Sequence, residues 1–194
     1  YQCLSQPNPE QKHHEFSTSL SQFSQAALSI VPGFNGTLVY NGGDDVLALL
    51  PLSQTFGAYL ALAEQFYQRT SGSASAGLAI AHRSYPLGAS LRAARDAEHR
   101  AKSVPDKDAV CLCVMKRSGE TTWITSPRTA VGNLFEQAVI RFKENAISSK
   151  FAYDVLRATY ALPMVDAKFK SEIKRLANRH RDKGAAKWEL NWQP

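Results

Sequence analysis

The stretch that decides the fold of this chain is residues 40–46, Tyr40-Asn41-Gly42-Gly43-Asp44-Asp45-Val46. The residues on both sides of it, 37–40 and 46–50, are rich in apolar and β-favouring side chains, and a short Asn-Gly-Gly link between two such runs predicts a β-hairpin. Glycine tolerates a positive φ and lets a ligand approach the backbone closely. The sequence therefore predicts a hairpin whose tip carries two adjacent carboxylates.

These two carboxylates are candidates for metal binding. Asp44 and Asp45 place two negative charges on one turn, which favours a divalent cation that also holds phosphate oxygens. Because neighbouring residues of a strand point to opposite faces, the two side chains need not do the same job. The alternative is an acidic surface hairpin without chemistry, which is common for turns that contain Asp.

Charge is distributed unevenly along the chain. Residues 1–68 contain one Lys and five acidic residues, whereas residues 69–194 contain 22 basic and 12 acidic residues. No Lys or Arg lies between Lys12 and Arg69, so no close sequence neighbour neutralises the carboxylate pair. The basic remainder favours polyanionic partners, meaning nucleic acid or nucleotide phosphates.

Length and composition indicate a soluble protein. A chain of 194 residues with 44% hydrophobic content predicts one domain, or one domain with a smaller appendage. No apolar run approaches the roughly 20 residues of a membrane helix, and no signal peptide pattern is visible. Cys3, Cys111 and Cys113 form neither a plausible disulfide framework nor a zinc pattern, so a reducing cytoplasm is expected, with Cys111 and Cys113 in the core.

Hydrophobic periodicity predicts mixed helices and strands up to residue 126 and helices alone afterwards. The expected helices before residue 126 span about 13–30, 54–68 and 87–103, and the expected strands besides the hairpin span 76–82, 109–115 and 122–125. Three further helical segments are expected near 130–147, 149–161 and 166–182. The predicted organisation is therefore an α+β domain over residues 1–126 and an all-helical domain over residues 127–194.

The order of these elements is that of a ferredoxin-like palm, as in polymerases and nucleotide cyclases, entered one strand late. In that architecture the metal aspartates lie on the first strand and on the following hairpin. Residues 1–12, which contain Pro7 and Pro9, cannot supply a central strand. We therefore expect a further metal ligand from residues ahead of Tyr1 or from another chain.

Five segments occur in one order across residues 13–126 and carry a family resemblance: residues 41–51, residues 75–82, Tyr85-Pro86-Leu87, Ala101-Lys102 and residues 116–120. Together they resemble the large, GGDD-containing subunit of type III CRISPR effector complexes, closest to the III-B branch. The resemblance implies a second palm domain and a small helical C-terminal domain, in a subunit that makes cyclic oligoadenylates from ATP after target RNA binds. The HD nuclease domain, first palm and zinc-binding region of that family are not visible, so DNA cleavage is not assigned to this segment.

The same resemblance implies roles at the hairpin. Asp44 and Asp45 would coordinate Mg²⁺ or Mn²⁺ and carry catalysis, and Gly42 and Gly43 would let ATP approach the backbone. Lys102 would contact the triphosphate, since related cyclases keep a phosphate-binding Lys at this place. Its alternative role is a cation at a helix C-terminus, which stabilises by roughly 0.3–1 kcal/mol.

Two further nucleotide contacts are candidates. Lys116 and its neighbour Arg117 lie on a basic turn that would reach phosphate or RNA, unless the turn is simply exposed. His13 and His14 open the first helix, where the family tends to place a His near the nucleotide, and we favour His14. A surface His is the alternative, because two adjacent His are not a metal motif.

The last helix carries a basic face. Residues 141–187 contain 12 Lys or Arg and five acidic residues, and a helix with one apolar and one basic face packs on one side and attracts anions on the other. Lys174, Arg175 and Arg179 are the candidates. The resemblance implies a multisubunit complex with guide RNA, target RNA, a small helical subunit and a repeat-handle-binding subunit, and no membrane. The alternative is an ordinary solvated face.

Two other functions stay open at this point. A stand-alone dinucleotide cyclase of the GGDEF kind is disfavoured by Asp45, where that family has Glu, by the missing Phe that should follow, and by the basic helical tail. A catalytically inactive scaffold that binds RNA and a small helical subunit is the other alternative.

Overall fold

The computed structural model describes residues 9–130, 136–161 and 167–184. The chain divides into two compact units, Tyr1–Thr129 and Ala130–Pro194, whereas the sequence placed the boundary after residue 126. Cys3 and the expectation for residues 1–8 lie outside the described residues, as do parts of the helices expected near 130–147 and 166–182. The fold class is α+β, as expected.

From residue 9 onward, the first unit contains three long helices and five strands. In chain order they are α1 (Pro9–Gly33), β1 (Thr37–Gly42), β2 (Asp45–Leu49), α2 (Thr55–Thr70), β3 (Ala76–Ala81), α3 (Leu87–Lys102), β4 (Ala109–Met115) and β5 (Thr121–Pro127). A single helical turn, α4 (Arg128–Ala130), follows β5. The predicted strands are confirmed. α1 extends beyond the predicted 13–30 at both ends: Pro9 is its first residue, where no backbone donor is needed, and Pro32 lies inside its last turn.

The strands form two separate sheets. β1 and β2 form an antiparallel hairpin, while β3 pairs parallel with β4 and β4 pairs antiparallel with β5. No strand pairing joins the two sheets among the described residues. Among the described residues, β2 and β3 each keep one edge without a strand partner.

The core of the first unit lies where α3 packs on β3 and β4. Ala93, Ala97 and Ala101 face Cys111 and Cys113, and both cysteines are fully buried, which confirms their predicted core position. Leu91 and Ala94 of the same helix are only half-buried. The small side chains allow α3 to approach closely: a Cβ on Gly77 of β3 would overlap the backbone of α3 at Ala94 and Glu98.

The second unit is helical over its described residues. Its helices are α5 (Glu136–Lys143), α6 (Lys150–Ala161) and α7 (Ala167–His180). Phe169, Ile173 and Leu176 of α7 are buried against α6 and form the apolar face of that helix. His180 Nε2 lies 2.7 Å from Asp154 Oδ2 and so joins the end of α7 to α6. Among the described helices of the whole chain, none combines the length and apolar character that crossing a bilayer requires.

Candidate nucleotide and metal site

The hairpin tip presents both candidate carboxylates to solvent. A two-residue turn, Gly43-Asp44, joins β1 to β2, and Gly43 takes φ +69° at its first central position. A type II′ hairpin turn requires glycine at this position. Asp44 lies in the turn and Asp45 begins β2 opposite Gly42, and both aspartates are exposed.

The hairpin is held on α1 by one side chain that the sequence did not indicate. Asn41 Nδ2 donates a hydrogen bond of 2.8 Å to the carbonyl oxygen of Ser24. Its Oδ1 atom is buried and has no hydrogen-bond partner among the described residues. Because Asn41 is three residues from Asp44, this bond fixes the base of the turn that carries the carboxylates.

The two glycines of the tip have different surroundings. A Cβ on Gly42 would meet the hydroxyl oxygen and Cζ of Tyr40, so the Tyr40 phenol fills the space beside Gly42. Apart from its chain neighbours, no atom of the residues that the structure describes lies within 4 Å of the corresponding position on Gly43. The open approach to the backbone therefore lies at Gly43, while Gly42 makes room for Tyr40.

Lys102 lies at the end of α3 within electrostatic range of the tip. Its Nζ atom is 2.5 Å from Glu98 Oε1, and the side chain is half-exposed. The Glu98 hydrogen bond is the main cause that raises the pKa of Lys102; burial opposes it, and the charges of Glu98, Asp45 and Asp44 raise this pKa further. The fold thus brings Lys102 near enough for the charges of both aspartates to act on it, across more than fifty residues of sequence.

His14 and Lys116 lie farther away. His14 is exposed on α1, ten residues before the Ser24 contact, which is about 15 Å along a helix axis. Lys116 directly follows the last residue of β4, whereas the chain from Lys102 at the end of α3 enters β4 at its first residue. The length of β4 therefore separates Lys116 from the end of the strand nearest Lys102 by about 20 Å. Lys116 pairs instead with Glu120 at 2.9 Å, and Arg117 is exposed on the same turn.

The basic candidates of α7 are all exposed, but they differ in pairing. Arg175 donates two hydrogen bonds, of 2.7 and 2.6 Å, to the carboxylate of Glu172, and these bonds raise the pKa of Arg175. The bidentate pair reduces the field that Arg175 presents to a polyanion. Lys174 and Arg179 therefore contribute more to the basic face.

The carboxylates of the hairpin tip suit a metal ion that is also bound by the phosphate groups of a substrate. Within the described part of the chain, no cluster of three His, Cys, Asp or Glu side chains could hold a metal by itself. Mg²⁺, however, is commonly bound through one or two carboxylates together with substrate phosphates and waters. Asp44 and Asp45, adjacent and exposed, are residues of the right kind and number for that mode.

A second polar cluster was not foreseen from the sequence. Arg128 Nε donates to both carboxylate oxygens of Asp108, at 2.8 and 3.1 Å, and Arg128 Nη1 lies 3.9 Å from Glu64. Burial, together with the charge of Asp108, raises the pKa of the nearby Tyr59 to about 12. Asp108 and Arg128 also line a cavity of about 280 Å³. These residues join α2 to the end of the β4–β5 pair where Ala109 lies opposite Pro127. No local pattern links positions so far apart.

The hairpin with carboxylates at its tip and the mixed sheet covered by α3 define a palm-type α+β domain. The family model for the Cas10/Cmr2 second palm domain matches residues 1–111, which is more than half of the chain. The chain belongs to the Cas10/Cmr2 family of type III CRISPR subunits.

Two relatives agree with this assignment. The CRISPR system Cmr subunit Cmr2 of Pyrococcus furiosus is 31% identical over 177 residues, which cover 84% of this chain and 20% of that protein. The single-strand-specific deoxyribonuclease Cas10/Csm1 (subtype III-A) of Mycobacterium tuberculosis is 35% identical over 78 residues, covering 39% of this chain and 10% of that protein. The chain therefore spans a fifth or less of the length of these relatives.

Proposed function

We propose that this chain is the nucleotide-polymerising palm of a type III CRISPR effector complex and that it makes cyclic oligoadenylates from ATP when target RNA binds. The observation that carries the proposal is that the exposed pair Asp44 and Asp45 lies within electrostatic range of Lys102 in a Cas10/Cmr2 palm. Two carboxylates and a cation in electrostatic range suit a site that holds a metal ion and a triphosphate.

In the proposed reaction, the 3′ hydroxyl of one ATP attacks the α-phosphorus of another. A new oxygen–phosphorus bond forms, the bond to pyrophosphate breaks, and the hydroxyl proton passes to solvent. Asp44 and Asp45 would hold Mg²⁺ or Mn²⁺, which supplies positive charge to the phosphate oxygens when it is bound. Lys102 would bind the triphosphate, and the open backbone at Gly43 would admit it. Gly42 would contribute by leaving room for the Tyr40 side chain. His14 would contact only the outer part of a nucleotide.

We also propose the setting of this reaction. Guide and target RNA would meet the complex near the basic face of α7, and a small helical subunit and a repeat-handle-binding subunit would complete the assembly. Lys174 and Arg179 support this proposal because they are exposed and are not committed to a bidentate pair. The complex would act in the cytoplasm.

The test uses the full-length protein purified with its partners and incubated with labelled ATP, Mg²⁺ and target RNA. We expect oligoadenylates that depend on RNA, and we expect none from the double variant Asp44→Ala, Asp45→Ala. Both side chains are exposed, so assembly and thermal stability should match the wild type. Products from GTP without RNA would indicate a stand-alone cyclase instead, and no product from the wild type would indicate a scaffold.

A further inference from the structure

Tyr40 holds an unusual position beside the candidate carboxylates. Its hydroxyl oxygen and Cζ lie where a side chain on Gly42 would begin. The residue is nevertheless 56% exposed, so the phenol is not buried for the sake of packing. A large aromatic side chain that lies along a catalytic hairpin and stays open to solvent is available to a ligand.

The register of the hairpin places Tyr40 on the face of Asp45. Gly42 lies opposite Asp45 and Tyr40 lies opposite Leu47, and side chains two residues apart on a strand share a face. Leu38 pairs with Ala48, so Val39, next to Tyr40, is an extra residue in β1. Such β-bulges are enriched beside active sites.

The register also sets the separation between Tyr40 and Asp45. Gly42 lies directly opposite Asp45, and Cβ positions of opposed residues in an antiparallel pair are about 4.5–5.5 Å apart. Because the Tyr40 hydroxyl lies close to the ideal Cβ position on Gly42, it lies on the order of 5 Å from the Cβ of Asp45. A ligand held by the Asp45 carboxylate is therefore within reach of this hydroxyl.

We propose that Tyr40 is a nucleotide-binding residue of this site: its hydroxyl donates a hydrogen bond to a phosphate oxygen of the nucleotide held at Asp45. This inference rests on the proposed function. A phenol adds a donor without adding charge, so it does not compete with Asp45 for the metal ion. Gly42 is then glycine because Tyr40 occupies its side-chain space, and the nucleotide approaches the backbone on the open side, at Gly43.

The first test is the binding of Mn²⁺–ATP to the full-length protein purified with its partners. Removal of the hydroxyl in Tyr40→Phe should weaken binding about tenfold, the effect of one hydrogen bond to a charged group, and should raise KM more than it lowers kcat. The matched control is Val39→Thr, which changes the neighbouring side chain of equal exposure, 56%, and keeps its shape. We expect this control to bind as the wild type does.

The second test is a double-mutant cycle. Gly42→Ala should weaken binding in the wild type, because the new methyl group displaces the phenol, but should have little further effect in a Tyr40→Ala background. Additive losses, or wild-type affinity in Tyr40→Phe, would overturn the role of Tyr40 while leaving the proposed function intact. A wild-type protein that binds no Mn²⁺–ATP would overturn the proposed function, and the role of Tyr40 with it.

Discussion

Lys102 shows how single residues set the chemistry of the tip. It is bound to Glu98 in the structure and also lies in the field of Asp44 and Asp45. A nucleotide would bring phosphate charge to the same place and compete with Glu98 for the ammonium group. Lys102 is therefore both a cation at the end of α3 and a candidate ligand for phosphate, so the two roles considered from the sequence are compatible.

The first prediction compares two lysines in similar pairs. Lys102→Ala should lower affinity for Mn²⁺–ATP about tenfold, since it removes a charge-assisted contact. Lys116→Ala should leave affinity within twofold. Lys116 is equally exposed and also pairs with a glutamate four residues away, but it lies at the other end of β4. Equal losses from both substitutions, measured by equilibrium binding, would contradict a triphosphate role for Lys102.

The second prediction concerns Tyr59, whose hydroxyl is buried without a hydrogen-bond partner among the described residues. Removal of an unpaired buried hydroxyl is neutral or stabilising, so Tyr59→Phe should unfold at an equal or higher urea concentration at pH 7. The folded pKa is raised from 10.0 to about 12. The contribution of the protonated Tyr59 phenol to the free energy of unfolding is therefore complete below pH 10 and is lost as the pH rises from 10 towards 12.

The measurement is urea unfolding at several pH values between 7 and 11. The variant should lose less stability than the wild type above pH 10, because Phe has no proton to release. Tyr67→Phe is the matched control, since Tyr67 lies on the same helix and is 54% exposed. If the Tyr59→Phe and wild-type curves ran parallel above pH 10, burial of the Tyr59 phenol would not contribute to alkaline unfolding.

At the scale of the elements, the close packing of α3 on β3 depends on the absence of a side chain at Gly77. A Cβ on Gly77 would meet backbone atoms of α3, which cannot rotate away as a side chain can. The third prediction is that Gly77→Ala destabilises the first unit by about 1–3 kcal/mol, the usual cost of overpacking. Gly33→Ala at the end of α1 is the control, because nothing lies within 4 Å of its added Cβ.

Urea unfolding followed by circular dichroism compares the two glycine variants. We expect a lower midpoint for Gly77→Ala and an unchanged or slightly raised midpoint for Gly33→Ala. A midpoint for Gly77→Ala equal to that of the wild type would mean that α3 shifts away from β3 without cost. Nucleotide affinity should fall with stability in Gly77→Ala, because α3 carries Lys102.

Over the whole molecule, charge separates an acidic N-terminal third from a basic remainder. The fourth prediction is that Lys174→Glu with Arg179→Glu lowers RNA affinity of the full-length complex and reduces its dependence on salt. The control is Arg83→Glu with Arg92→Glu, which changes net charge equally with exposed residues of the first unit. Equal effects of the two double variants on filter binding would assign the attraction to net charge rather than to α7.

Most of the elements and part of the site follow from the sequence alone. The hairpin, the strands at 76–82 and 109–115, the helix ending near Lys102 and the buried Cys111 and Cys113 all depend on local spacing and turn chemistry. Such features are legible because each is decided by neighbours a few residues away. The family was likewise recognisable from five ordered segments, the most specific of which is the tip with Asp44 and Asp45.

Only the tertiary structure decided which distant residues meet. The pairing of Gly42 with Asp45 puts Tyr40 on the face of Asp45, and the register of a hairpin is not fixed by composition or periodicity. The Asn41–Ser24 bond, the Arg128–Asp108 pair and the placement of Lys102 by the tip join positions 17 or more residues apart. The sequence by itself determined the elements and the carboxylate tip, because local interactions specify them; the packing of those elements decided what surrounds the tip, because that depends on contacts between residues far apart in the chain.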